Sequence, residues 1–153
     1  MVSGILVQKP GFRKFFWNID AEVGLNSPNR TDDVQLVQLG YAFMAMAPTT
    51  PNEIRATFAA VQVGAFCTGR DDDPLVQAIF AHESSRGGTV DGHVSVIGTS
   101  NGIYMDSSGP HTYMLTALVN NIQDGMPNDF PRLDKHPACP PDLKAAVLKV
   151  LIA

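Results

Sequence analysis

The sequence contains little that would support a disulfide-stabilised or membrane-spanning protein. Its 153 residues include only two cysteines, Cys67 and Cys139, so at most one bridge can form, and their spacing does not decide between a bridge and two free thiols. The longest unbroken apolar run, Ala42 to Ala47, is far shorter than the ~20 residues that cross a bilayer. We therefore expect no membrane insertion.

Positive charge is also scarce. Eleven Lys and Arg residues stand against 15 Asp and Glu residues, which gives a formal net charge of -4, and the sequence has no dense basic segment. Proteins that follow the phosphates of nucleic acids need such a segment. The charge pattern therefore argues against a nucleic-acid partner.

The N-terminal segment lacks the apolar core of a secretory signal peptide. Only Gly4 to Val7 is apolar before the basic residues Lys9, Arg13 and Lys14, whereas a signal peptide needs about 7–15 apolar residues. No classical export signal is predicted, and the localisation stays open.

The chain is large enough for one domain with its own core. Hydrophobic residues make up 44% of it, and a chain of this size buries roughly 70% of its unfolded surface on folding. No metal or cofactor is needed to hold such a core together. The pattern along the chain predicts a single helical domain over residues 29–153, preceded by an aromatic arm and loop over residues 1–28.

The predicted arm contains a dense group of aromatic residues, followed by the turn-rich segment Gly24 to Asn29. Two interpretations are open. The aromatic side chains either pack beneath the helices or form an exposed anchor for a partner. The aromatic residues of the arm are Phe12, Phe15, Phe16 and Trp17.

Helix start signals and apolar spacings of three and four residues predict the first three helices. The first helix is expected from about Asp32 to Met46. The second is expected to begin at Thr50-Pro51, with Thr50 as the capping residue. The third is expected to follow Asp73-Pro74 and to end before Gly87-Gly88.

The second half of the sequence is less regular. Alternating valines around Asp91-Gly92 predict a short hairpin, and an irregular loop is expected to extend to Pro110. Two further helices are predicted over about Thr112–Asp124 and about residues 141–152. The expected fold is mainly α, a small helical bundle of about five helices with a short β-hairpin and an irregular loop insertion.

Two segments resemble bacterial peptidoglycan-binding-like domains. Asn29 to Gln38 resembles the N-R-x-x-D-V-x-L-V-Q opening helix of those domains. Leu75 to Phe80, followed by Thr89 to Val94, resembles their A-I-x-x-F-Q … V-D-G-x-V second half. Thr112 to Leu118 is similar to their last helix, so the resemblance covers about residues 29–122.

The sequence departs from the family pattern at two places. Ala81-His82 replaces the usual Gln after the core Phe, and an insertion from Ser95 to His111 replaces a compact turn. The resemblance implies a non-catalytic module that binds bacterial cell-wall peptidoglycan or docks a protein in an envelope, phage-tail or secretion-type assembly.

A sugar-peptide polymer is held by a shallow groove with an aromatic or apolar floor and a few hydrogen-bonding groups. We expect such a groove near the Asp-Gly turn and the insertion. Each candidate residue there also has an alternative role as a turn former or core residue. The candidate binding residues are Asp91, His93, Asn101, Tyr104 and Tyr113.

Catalytic alternatives have less support. Gly98 to Gly102 satisfies the G-x-S-x-G pattern, and Ser100, Asp134 and His136 could form a triad, but no helical pattern follows the serine. The histidines and Cys139 have no local pair at metal-ligand spacing, so no metal site is predicted. A small hydrolase that uses Ser100 or a histidine-bound metal therefore stays an alternative to a binding module.

A third interpretation is a structural subunit that assembles with itself. It would require the aromatic arm to be exposed and to insert into a second copy of the chain. The partners expected from the sequence are thus peptidoglycan, an envelope or assembly protein, or a homo-oligomer.

Overall fold

The structure is a computed structural model that describes residues 1–152; Ala153 and the side chains of Lys9 and Phe12 lie outside its described part. The described residues form five α-helices and six short strands, so the mainly α fold predicted from the sequence is confirmed. The helices are α1 (Thr31–Met46), α2 (Asn52–Ala59), α3 (Pro74–Arg86), α4 (Met114–Gly125) and α5 (Pro141–Ile152). The strands are β1 (Ser3–Lys9), β2 (Phe12–Asn18), β3 (Val23–Gly24), β4 (His93–Val94), β5 (Ile103–Asp106) and β6 (Gly109–Thr112).

Helix α1 is the central element, and α2, α4 and α5 pack around it. Gly40 permits the close approach of α4, because a Cβ atom at this position would lie 2.9 Å from the Cβ of Leu118. The two glutamines of α1 satisfy backbone groups of neighbouring segments. Gln35 accepts a hydrogen bond from the Leu143 amide (2.8 Å), and Gln38 binds the amide of Gly64 and the carbonyl of Ala65 (both 2.9 Å).

One of the two predicted helix starts is confirmed in detail. Asp73 caps α3 by accepting a hydrogen bond from the Leu75 amide (2.8 Å), and Gly87 ends the helix with φ of 76°. The predicted cap of α2 is wrong. Thr50 donates its hydroxyl to the carbonyl of Met44 at the end of α1 (2.5 Å), and α2 begins at Asn52 with no side-chain cap.

The N-terminal aromatic segment forms the hairpin β1–β2, in which pairing runs from Ser3 opposite Asn18 to Lys9 opposite Phe12. Strand β2 packs on α4 and β1 packs on α5. Phe16 and Trp17 are 3% and 0% exposed, so neither side chain forms an exposed anchor, and Trp17 packs in the hydrophobic core. Phe15 is half-buried, and the side chain of Phe12 lies outside the described part.

Two contacts attach the end of the hairpin to distant parts of the chain. The indole Nε1 of Trp17 donates a hydrogen bond to the carbonyl of Pro131 (3.0 Å). The Asn18 amide binds the backbone of Ile97 twice, donating to its carbonyl (3.0 Å) and accepting from its N–H (2.9 Å). The arm is therefore part of the same packed unit as the helices.

The hairpin predicted around Asp91-Gly92 is wrong. The residues after this turn form β4, which pairs with β3 through Val23 opposite Val94 and Gly24 opposite His93. Val90, which would have led into the hairpin, stays exposed. A hairpin lies instead within the predicted irregular insertion, where β5 and β6 pair from Ile103 opposite Thr112 to Asp106 opposite Gly109.

The polar residues of the Asn29–Asp33 segment hold the preceding loop against α1. Asn29 accepts a hydrogen bond from the Gly24 amide (2.7 Å) and donates to the Gly24 carbonyl (2.9 Å). Asp33 accepts from the amides of Asp20 and Ala21 (both 3.1 Å), and burial raises the pKa of its carboxyl group. These contacts position β3 beside β4.

Within residues 1–152, no helix has both the length and the apolar character that a membrane crossing requires.

Candidate ligand-binding groove

A groove of about 330 Å³ opens where α3 ends. The last turn of α3 forms one side of it, residues 88–95 form the floor, and the β5–β6 hairpin with the start of α4 forms the other side. Four of the five binding residues expected from the sequence line this groove, namely Asp91, His93, Tyr104 and Tyr113. The fold therefore brings together residues that are up to 22 positions apart in the sequence.

Asn101 has a different position. Its side-chain oxygen accepts hydrogen bonds from the Ile103 amide and the Thr99 hydroxyl, both at 3.1 Å. These contacts shape the turn that leads into β5, and Asn101 is not among the residues that line the groove. Its role in the structure is the local one that Asn often has in turns.

An aromatic wall forms the hairpin side of the groove. The rings of Tyr104 and Tyr113 meet edge to face with centroids 5.0 Å apart, and Tyr104 also stacks on His111 at 5.3 Å. Tyr104 is 38% exposed and Tyr113 is half-buried. Edge-to-face packing of this kind favours a defined ring orientation, so the wall presents an ordered aromatic surface.

Two acidic side chains flank His93, which lines the groove. His93 Nε2 lies 3.4 Å from a carboxylate oxygen of Asp91 and 3.4 Å from one of Glu22. Asp91 also accepts a hydrogen bond from the His93 amide (3.2 Å), which fixes its carboxylate relative to the turn. Hydrogen-bond acceptors and an imidazole ring thus face the same space as the tyrosines.

Glu83 holds the Asp-Gly turn in place. Its carboxylate accepts hydrogen bonds from the amides of Gly92 (2.7 Å) and Asp91 (3.3 Å). Burial raises the pKa of Glu83, and the adjacent Asp91 carboxylate adds to the increase. Sequence reasoning missed this residue, because nothing in the sequence shows that the last turn of α3 reaches a turn eight residues further on.

Arg86 supplies the positive charge of the groove. It lies in the last turn of α3, its side chain is exposed, and its guanidinium group donates a hydrogen bond to the carbonyl of Thr112. Sequence reasoning missed Arg86 as well. The available signal was its position three residues after Glu83, which places both side chains on neighbouring parts of one helix face.

Ser100, Asp134 and His136 form no hydrogen bonds with one another in the described part of the chain, so the structure does not assemble the alternative catalytic triad. Ser100 lies in an exposed loop, and strand β5 follows it where a nucleophile elbow requires a helix. Asp134 forms two hydrogen bonds with Arg132 (2.8 and 2.7 Å), and His136 Nδ1 accepts one from the Ala138 amide (3.1 Å). Asp134 and His136 therefore bind separate local partners rather than each other.

A second serine, histidine and aspartate meet in the exposed turn of the β5–β6 hairpin. Ser108 Oγ and Asp106 Oδ1 approach the same nitrogen, His111 Nε2, at 2.7 and 2.9 Å. A catalytic triad uses the two ring nitrogens for different partners, so this arrangement is a turn network.

The described part of the chain contains two free thiols and no cluster of metal ligands. Cys67 and Cys139 are free thiols, and burial raises the pKa of Cys139 to about 11. Such a thiol carries little thiolate at neutral pH and is a poor nucleophile. Within residues 1–152, no group of three or more His, Cys, Asp or Glu side chains is placed to hold a metal ion.

No protein-family model, curated protein or solved structure matches the chain at a significant level. The groove and the two sequence segments described above are therefore the features that indicate a function.

Proposed function

We propose that the chain is a non-catalytic binding module whose groove holds a fragment of bacterial peptidoglycan. The observation that carries the proposal is the convergence of Asp91, His93, Tyr104 and Tyr113 on one groove. The sequence predicts the same four residues from the chemistry that a sugar-peptide polymer requires near the Asp-Gly turn and the insertion. A single cavity with an aromatic wall and a few polar groups is the usual form of a small-ligand site.

The chemistry of the groove suits a saccharide that carries a peptide. The apolar face of a sugar ring can pack on the exposed ring of Tyr104, as apolar surfaces do on aromatic side chains. Sugar hydroxyl and amide groups can bind the carboxylate of Asp91 and the imidazole of His93. The volume of about 330 Å³ accommodates one or two such units and leaves the rest of a polymer in solvent.

Replacing Tyr104 with alanine is expected to weaken binding to peptidoglycan roughly tenfold or more, because the ligand loses its main aromatic contact. The measurement is retention of the purified chain on insoluble peptidoglycan, followed by calorimetric titration with soluble muropeptides. Met105→Ala is the matched control. Met105 follows Tyr104 on β5, is 71% exposed and does not line the groove.

The Met105→Ala variant should bind as the unmodified chain does, and both variants should keep their helical circular dichroism. If the unmodified chain binds neither insoluble peptidoglycan nor muropeptides, the proposal is wrong. Equal losses in both variants would place the binding surface outside the groove.

A further inference from the structure

A guanidinium group and two carboxylates line the groove without forming an ion pair with each other. Arg86 lies in the last turn of α3 and donates a hydrogen bond to the carbonyl of Thr112. Asp91 and Glu83 line the same groove. Among the ion pairs of residues 1–152, none joins Arg86 to either carboxylate, although all three side chains line the same cavity.

The two carboxylates also lie close to each other. Glu83 binds the backbone amide of Asp91, and the Asp91 carboxylate is one of the causes that raise the pKa of Glu83. A cation placed beside Asp91 would relieve this repulsion between like charges. An anion placed beside Arg86 would use the guanidinium N–H groups that are not engaged with Thr112.

A ligand with both charges would satisfy both groups, and Tyr104, which lines the same groove, can contact its carbon atoms. The partly exposed ring of Tyr104 also attracts an ammonium group, because an aromatic ring carries negative charge on its face. A purely neutral saccharide would offer hydrogen bonds to Asp91 but would supply no opposite charge to Arg86 or to Asp91.

We infer that the groove recognises a zwitterionic amino-acid group, with its ammonium at Asp91, its carboxylate at Arg86 and its carbon chain against Tyr104. This inference rests on the proposed function and narrows it. Within peptidoglycan, the matching group is the free amino-acid end of a diaminopimelate side chain in the stem peptide. The glycan strand then acts mainly as the carrier of that group.

The test is calorimetric titration of the full chain with three synthetic muropeptides that differ at one place. The first has a free diaminopimelate end, the second is acetylated at that amine, and the third is amidated at that carboxyl. Each modification removes one charge-assisted hydrogen bond. We expect the affinity to fall roughly tenfold or more in both cases.

Two variants that each remove one charge assign each ligand modification to one side chain of the groove. Asp91→Asn keeps the side-chain oxygen that accepts from the His93 amide, and it should bind the free and acetylated muropeptides equally. Arg86→Gln should bind the free and amidated muropeptides equally. Asp72→Asn and Arg13→Gln change the same charges at exposed positions outside the groove, and they should discriminate among the three muropeptides as the unmodified chain does.

The outcomes separate this inference from the proposed function. If the unmodified chain binds all three muropeptides with equal affinity, the zwitterion inference is wrong and the peptidoglycan proposal stands. If it binds none of them and is not retained on insoluble peptidoglycan, both are wrong. Because the first comparison uses only the unmodified chain, it holds even if a variant fails to fold.

Discussion

Replacing Trp17 with alanine is expected to lower the free energy of unfolding by about 3–5 kcal/mol, the usual cost of truncating a buried aromatic side chain. Trp17 is fully buried and packs edge to face on Phe15 with centroids 5.0 Å apart. Its indole also donates a hydrogen bond to the Pro131 carbonyl, which would lose its partner. The measurement is urea denaturation at neutral pH, monitored by circular dichroism. Fluorescence is unsuitable because Trp17 is the only tryptophan and the variant lacks it.

Phe66→Ala is the control for this experiment, since Phe66 is an aromatic residue with 88% of its surface exposed. Its loss should change the free energy of unfolding by no more than about 0.5 kcal/mol. If Trp17→Ala does not fold, Trp17→Phe should give an intermediate and measurable destabilisation. A change below about 1 kcal/mol for Trp17→Ala would show that the hairpin is not packed as described.

Mild acid is expected to destabilise the protein through His82. Its Nδ1 lies 3.0 Å from the Tyr41 hydroxyl in the core, and burial, helped by the positive charge of Arg86, lowers its pKa from 6.5 to about 4. The unfolded chain takes up a proton on this histidine below pH 6.5, whereas the folded chain resists until about pH 4. Stability is therefore lost as the pH falls from 6.5 to 4, by about 3 kcal/mol in total.

The comparison of His82→Gln with the unmodified chain isolates this effect. Glutamine can accept the Tyr41 hydrogen bond but does not titrate, so the variant should lose less stability over the same pH range. The pKa values of Asp33 and Glu83 are raised in the folded chain. Protonation of these two carboxylates as the pH falls therefore favours the folded state. They contribute equally to both proteins. Identical pH dependence of the two would contradict the assignment to His82.

Features of the fold that depend on local chemistry could be predicted from the sequence. Asp73 caps α3 as predicted because a capping aspartate acts within two residues of itself. The same signature at Thr50 failed because α2 begins at Asn52 with Pro51 in the N-cap position, so Thr50 lies one residue before the cap, where its hydroxyl donates to the Met44 carbonyl. Cap signals thus locate a helix start to within about one residue, and packing decides which residue occupies the cap position.

Some residues of the groove could be predicted from the sequence, and others could not. Asp91 and His93 are close in sequence, and Tyr104 is an aromatic residue in the insertion that follows them, so the requirement for an aromatic floor pointed to it. Glu83 and Arg86 were missed because their part in the groove arises from packing between α3 and later segments. The burial of Trp17 also depends on distant partners such as Pro131, which the sequence of the arm alone does not reveal.

The attachment of the N-terminal hairpin to distant backbone groups affects how the chain folds as it is made. Trp17 binds a carbonyl 114 residues later, and Asn18 binds a residue 79 positions later. A two-stranded hairpin is at best marginally stable alone in water. At ribosomal rates, the partner of Trp17 is synthesised roughly 6–23 s after Trp17 itself. During that interval the nascent hairpin exposes its aromatic residues, which makes it a target for chaperones and proteases.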